Sequence, residues 1–243
     1  MTSTLLRRTV CEFLGTGFLV AAVVGSGIMG EKLAAGNVAI ALLANTIVTG
    51  AALVALILTF GPISGAHFNP AVTFVDAMEK GVTWMDAACY LPAQCLGGIA
   101  GVIAAHVMFQ LPVISVSHHA RAGSAQLFSE FIATFGLLSV IWGCSRVRSQ
   151  MVAFAVGAYI TAAYWFTAST SFANPAVTIA RCLSDTFAGI RPSDVPWFIV
   201  AQFLGAIAAT ILFRWLVPTL NVRARQVLLA HGSSEQNPYS SGS

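Results

Sequence analysis

Two asparagines carry the most specific chemistry in the chain. Each opens the same five residues, Asn69-Pro-Ala-Val-Thr and Asn174-Pro-Ala-Val-Thr. Asparagine is a strong helix N-cap, and proline suits the first helical position because its missing N–H is not needed there. Capping uses the side-chain oxygen and leaves the amide NH₂ free to donate to a passing water or hydroxyl oxygen. A helix N-terminus also carries about +0.5 charge, so two of them facing one another repel cations and orient water. Asn69, Pro70, Ala71, Asn174, Pro175 and Ala176 are therefore candidate pore residues, the plainer reading being two helix caps. Glu12 and Glu130 are acidic groups inside apolar runs, which suits either a proton relay or the bracing of irregular backbone. Bracing is preferred, because irregular backbone deep in a membrane must find hydrogen bonds. His67, two residues before Asn69, reads by itself as a hydrogen-bonded structural histidine.

The elements that must position these groups follow from composition. Of 243 residues, 57% are hydrophobic and 9% charged, against about 25% charged in a soluble domain. The mean hydropathy is +0.80. These values exclude a soluble enzyme, a nucleic-acid-binding domain and a disordered chain. The net charge of +3 comes without a polybasic tract, so no nucleic-acid partner is expected. The five cysteines have no CxxC spacing and read as packing residues. No metal-ligand cluster and no cofactor motif stands out, and no enzyme is expected.

The gaps between charges count the membrane spans. A span needs roughly 20 apolar residues. Residues 13–30 and 195–213 fit one each, whereas 33–75 and 149–180 are too long for one span and too short for two. Six spans fit, near 9–30, 37–60, 84–107, 125–146, 150–167 and 195–217. The remnants 69–79 and 174–184 are half-helices that enter the bilayer and stop at its middle. A lipid-embedded multi-pass chain is expected, with both termini cytoplasmic because eight of the twelve Lys and Arg then fall inside.

The chain is also duplicated internally. Glu12-Phe-Leu-Gly-Thr echoes Glu130-Phe-Ile-Ala-Thr, the two Asn-Pro-Ala boxes echo one another, and Ala93-Gln-Cys-Leu-Gly echoes Ala201-Gln-Phe-Leu-Gly. Three spans per half put the second half upside down, and inverted repeats with broken helices place a solute site between the halves. The expected division is 1–120 and 121–217, with a disordered cytoplasmic tail at 218–243. The fold class is an all-α membrane protein with six transmembrane helices, two re-entrant half-helices and an inverted repeat.

Two such boxes in a six-span chain resemble the aquaporins, the major intrinsic protein family. The residues that carry the resemblance are Ser64-Gly-Ala-His-Phe-Asn69-Pro70-Ala71 and Ser171-Phe-Ala-Asn174-Pro175-Ala176-Val177, and it covers about 9–217. It implies single-file passage past the paired asparagines, glutamates that brace the re-entrant loops, a histidine on the cytoplasmic side of the pore, and a homotetramer with one pore per subunit. The family's filter positions carry over by distance as Thr49, Ala162, Ser171 and Val177. In the loop before Asn174 the register leaves Phe172 or Ala173 open in place of Ser171, and Thr161 or Ala163 in place of Ala162.

The sequence departs from the family where an arginine usually follows the second box. Val177 stands there, and Thr178 does not match the aspartate of glycerol facilitators. Water-selective members carry an aromatic residue and a histidine at the first two filter positions, and both are absent. A Thr/Ala/Ser/Val ring is expected to be wide and uncharged. Arg181, four residues beyond Val177, reads either as a guard of the outer vestibule or as a snorkelling surface arginine. The pattern looks most like the bacterial aquaglyceroporins associated with arsenic resistance, in an inner membrane. The implied solutes are water, glycerol-like polyols and arsenite in its neutral trivalent hydroxide form. The competing readings are a water-selective channel with an atypical filter, a coupled secondary transporter, and a junctional membrane protein. Neutral midplane boxes argue against coupling.

Overall fold

A computed structural model describes residues 3–217; the tail expected at 218–243 lies outside the described residues. The chain folds into α1 (Leu5–Leu33), α2 (Val38–Ser64), α3 (Pro70–Met78), α4 (Trp84–Met108), α5 (Ser124–Val147), α6 (Val152–Phe166), α7 (Pro175–Arg181) and α8 (Val195–Leu216). The order is three long helices with one short helix inserted, given twice.

Helix starts follow local chemistry. Thr4 caps α1 through the Arg7 N–H, and Asn37 caps α2 through the amides of Ala39 and Ile40. Thr83 and Asp86 form a reciprocal capping box on α4. Five of the helical segments are long and apolar enough to cross a membrane. The remaining span, α6, has 15 residues, about 22 Å at 1.5 Å per residue. The 3-10 turn Ser149–Met151 in front of it adds about 6 Å, which brings the pair close to the ~30 Å hydrocarbon core.

The short helices are shorter than the sequence suggested. α3 has 9 residues and α7 has 7, against 69–79 and 174–184 expected. The difference lies at their C-terminal ends. The Glu79 amide closes the last turn of α3, and the Cys182, Leu183 and Ser184 amides continue α7 only as tight turns.

Helices α1 and α4 pack backbone to backbone, and so do α5 and α8. A Cβ on Gly97 would run into the carbonyl oxygen of Phe13, and one on Gly205 into that of Phe131. Without large hydrophobic forces between helices in lipid, such close approach is what holds them. Outside the bundle, Phe18, Ile47, Leu58, Trp165 and Trp215 stand exposed, as lipid-facing side chains should. Inside it, Val20, Val24, Val75, Val102 and Leu138 close the core.

Candidate functional site

The loops leading into α3 and α7 meet in the middle of the bundle. Each reaches its half-helix through residues in the left-handed backbone region: Ala66 (φ 50) and Phe68 (φ 50), then Ser171 (φ 50) and Ala173 (φ 48). Non-glycine residues there cost roughly 1–3 kcal/mol each unless the surroundings enforce them. The enforcing groups are the two buried glutamates. Glu12 Oε1 accepts from Ser64 Oγ at 2.7 Å and the His67 amide at 3.0 Å. Its Oε2 accepts from the Phe68 amide at 2.7 Å and Gln94 Nε2 at 2.8 Å. Glu130 accepts from the Phe172 amide at 2.8 Å, the Ala173 amide at 2.9 Å and Gln202 Nε2 at 2.6 Å. Gln94 and Gln202 each donate as well to a threonine of the half-helix, Thr73 and Thr178, at 2.9 Å. Every one of these donors suits an ionised carboxylate, which only accepts.

The braces also fix a register. His67 and Phe172 both sit two residues before their asparagine, and both donate to the matching glutamate. The loop before Asn174 thus has no extra residue between brace and cap.

The asparagines cap as expected and do one thing more. Asn69 Oδ1 accepts from the Ala71 amide at 2.9 Å, and Asn174 Oδ1 from the Ala176 and Val177 amides at 3.0 and 3.3 Å. Their NH₂ groups are not wholly free. Asn69 Nδ2 donates to the Ala173 carbonyl at 2.8 Å and Asn174 Nδ2 to the Phe68 carbonyl at 2.7 Å. Each half-helix is pinned to the other's loop, and one N–H per asparagine remains for a solute. The single donor is held in a fixed direction as a result.

Around this junction runs a cavity with room for a short file of waters. Its walls are stripes at helical spacing: Leu19 and Val23 from α1, Thr49, Leu53 and Ile57 from α2, Leu137 and Ile141 from α5, and Val152, Val156, Ile160 and Tyr164 from α6. Leu19 and Val23 stand 118 residues from Leu137 and Ile141, the same spacing as the two glutamates. From the loops and half-helices come His67, Asn69, Val72, Ser171, Asn174, Val177 and Arg181.

One sequence expectation changes here. Ala162 is exposed and lies off the cavity; α6 turns Tyr164 inward instead, because Val152, Val156, Ile160 and Tyr164 form one i, i+4 stripe and Ala162 lies off it. Thr49 does line the wall. Its hydroxyl donates to the Asn45 carbonyl at 2.8 Å and so accepts from the Tyr164 hydroxyl, 3.2 Å away. Thr49 and Tyr164 thus meet on the cavity wall, which Ser171 and Val177 also line. Ser171 Oγ is buried with no hydrogen-bond partner among the described residues, which leaves it for a solute.

Burial decides between the two readings of Arg181. It is 2% exposed, so it is not a snorkelling surface arginine. Its guanidinium carbon lies 3.4 Å from the Phe172 ring centroid, and its Nε donates to the Ala188 carbonyl. Arg121 approaches the same ring at 4.9 Å and is tied to the carbonyls of Gly189 and Ser169 at 2.8 and 3.1 Å. Burial pulls Arg121 down to about 10, still charged at neutral pH.

At the opposite end of the cavity, His67 Nδ1 faces Thr73 Oγ1 at 3.1 Å. The Thr73 hydrogen goes to the Asn69 carbonyl, so Nδ1 is the donor. Nε2 looks toward Asp76 Oδ2 at 3.5 Å.

Nearly the whole chain fits one family model, "Major intrinsic protein", matched at residues 1–151 and 143–239. It is 54% identical over 222 residues to the aquaglyceroporin AqpS of Rhizobium meliloti, covering 91% of this chain and 95% of that one. It is 32% identical over 213 residues to an aquaglyceroporin of Toxoplasma gondii, covering 84% and 76%. In fold it matches the X-ray structure of the aquaglyceroporin from Plasmodium falciparum with a TM-score of 0.72 at 21% identity, over 90% of this chain and all of that one. Paired Asn-Pro-Ala caps, glutamate-braced loops and a walled cavity between inverted halves stand together with that family match: the chain belongs to the major intrinsic protein family and is a multi-pass membrane channel for water and small solutes, not an enzyme.

Proposed function

We propose that the channel passes glycerol-like polyols and neutral trivalent arsenic hydroxide as well as water, through a filter made by Thr49, Tyr164, Ser171 and Val177. The observation that carries this reading is Val177, which lines the cavity where the family usually has an arginine. An apolar side chain there leaves hydroxyl oxygens to be met by Ser171 and the asparagine N–H groups, while the valine, Leu53 and Ile160 take up carbon. A bulky solute loses little on such a wall, because few water-binding donors must be stripped. The name of the 54%-identical relative, an aquaglyceroporin, agrees with this.

In the same reading the repeats are 1–120 and 121–217, Glu12 and Glu130 act as loop braces, and His67 lines the pore on the cytoplasmic side. Both termini are cytoplasmic, in the cell membrane, and four chains assemble with one pore each. The test is stopped-flow light scattering of proteoliposomes under sucrose, glycerol and arsenite gradients. Glycerol and arsenite entry well above that of empty vesicles is expected; water flux alone would favour a water-selective channel with an atypical filter.

A further inference from the structure

The geometry points to Arg181 as the cavity's fixed cation. Its stacked guanidinium presents terminal N–H groups to the hydroxyl oxygens of neutral polyhydroxy solutes and sets the barrier against cations, in place of a charge at position 177.

Arg181 and Val177 lie on one face of α7, four residues and about 6 Å apart, and both line the cavity. The side chain is held from three directions. Phe172 lies flat beneath it at 3.4 Å, the Ala188 carbonyl takes its Nε, and the carbonyl end of α7 favours a cation. Those contacts leave its two terminal nitrogens on the cavity wall, with no hydrogen-bond partner among the described residues. A guanidinium carries five donors and no acceptor, so up to four N–H groups remain for a solute.

No carboxylate among the described residues forms a salt bridge with it. Among the described residues the ion pairs are Arg8–Asp86, Arg191–Asp194 and Arg214–Glu79, and none includes Arg181. Nearby acids are spent elsewhere: Asp194 takes Arg191 and the Arg121 amide, Asp185 takes the His118 amide, and Glu130 takes its loop. The second cation over the same ring, Arg121, has its Nε and one terminal nitrogen tied to backbone carbonyls, so it adds charge but fewer donors. An unpaired, buried and pinned guanidinium on a channel wall repels cations strongly, because little water screens it.

This assignment rests on the channel reading above, and the experiment separates the two. Proteoliposomes carrying wild type, Arg181→Met and Arg181→Lys are compared for water flux, glycerol flux and cation leak, the last by an internal pH dye under a potassium gradient. Wild-type glycerol flux tests the channel reading by itself. For Arg181→Met the expected result is a cation leak raised about tenfold or more and a glycerol-to-water ratio lowered about tenfold, the worth of one charge-assisted hydrogen bond. Arg181→Lys keeps the charge and loses the stacked fork, so it should stay tight to cations while its ratio falls. A methionine variant with wild-type leak and wild-type ratio overturns the assignment, as does an equal leak in both variants. If the methionine variant does not fold, the lysine variant decides: an unchanged glycerol-to-water ratio overturns the assignment, and a lowered ratio without leak supports it.

Discussion

Replacing Glu130 with glutamine removes one charge and no volume, and the structure says what that costs. The carboxylate is fully buried and accepts three donors between 2.6 and 2.9 Å. A glutamine keeps one acceptor oxygen. Its best placement is at the Oε2 position, where it still meets the Ala173 amide and Gln202. Its NH₂ then faces the Phe172 N–H, donor against donor. Two bonds change from charge-assisted to neutral, about 1 kcal/mol each, and one buried N–H is orphaned at about 1–3 kcal/mol. Burying a neutral group in place of an ion returns part of this, so the net is about 2–3 kcal/mol. For a chain this size that is a fall of about 4–12 °C in Tm. The strained backbone at Ser171 and Ala173 loses its clamp, so flux should fall with stability. The assay is thermal unfolding in mild detergent, followed by intrinsic fluorescence, together with water flux in liposomes. A Tm within about 2 °C of wild type, with unaltered flux, would refute the bracing argument. Glu12→Gln should cost more, since four donors converge on that carboxylate.

Three further outcomes are expected. Val177→Arg places a second guanidinium one turn from Arg181, so it should cut glycerol and arsenite flux at least tenfold more than water flux in light-scattering assays at matched protein levels; equal effects on all solutes would remove position 177 from the filter. Ala162→Trp, on the exposed face of α6, should leave the glycerol-to-water ratio within about twofold of wild type, whereas Tyr164→Ala, which opens the ring beside Thr49, should shift it; the reverse order would return the filter to the register first suggested. Gly97→Val drives a side chain into the Phe13 carbonyl and should prevent close packing of α1 on α4, seen as loss of monodisperse protein on size exclusion, whereas Gly61→Ala, with nothing within 4 Å of the new Cβ, should stay monodisperse.

Much of this molecule was legible in the chain because its solvent is lipid. Uninterrupted apolar runs set the number of spans, and overlong runs betrayed the two half-helices. The twin Asn-Pro-Ala boxes marked where those helices begin, since Asn caps and Pro starts a helix wherever it lies. The two glutamates stood out as well, for an acid inside a membrane needs donors and irregular backbone supplies them. Tertiary structure alone decided what each wall residue faces. A distance counted along the chain from Asn174 led to Ala162, but the rotation of α6 about its axis is set by packing against α2, and it turned Tyr164 inward; the i, i+4 stripe from Val152 was the signal available. Asn69 and Asn174 cap locally, yet their second bonds, to Ala173 and Phe68, cross between the halves and exist only once both loops have met. Arg181 could have pointed to lipid headgroups or to the cavity. Phe172 and the Ala188 carbonyl, brought to it from separate segments, chose the cavity, because a buried guanidinium stays only where ring and carbonyl replace the water it gave up.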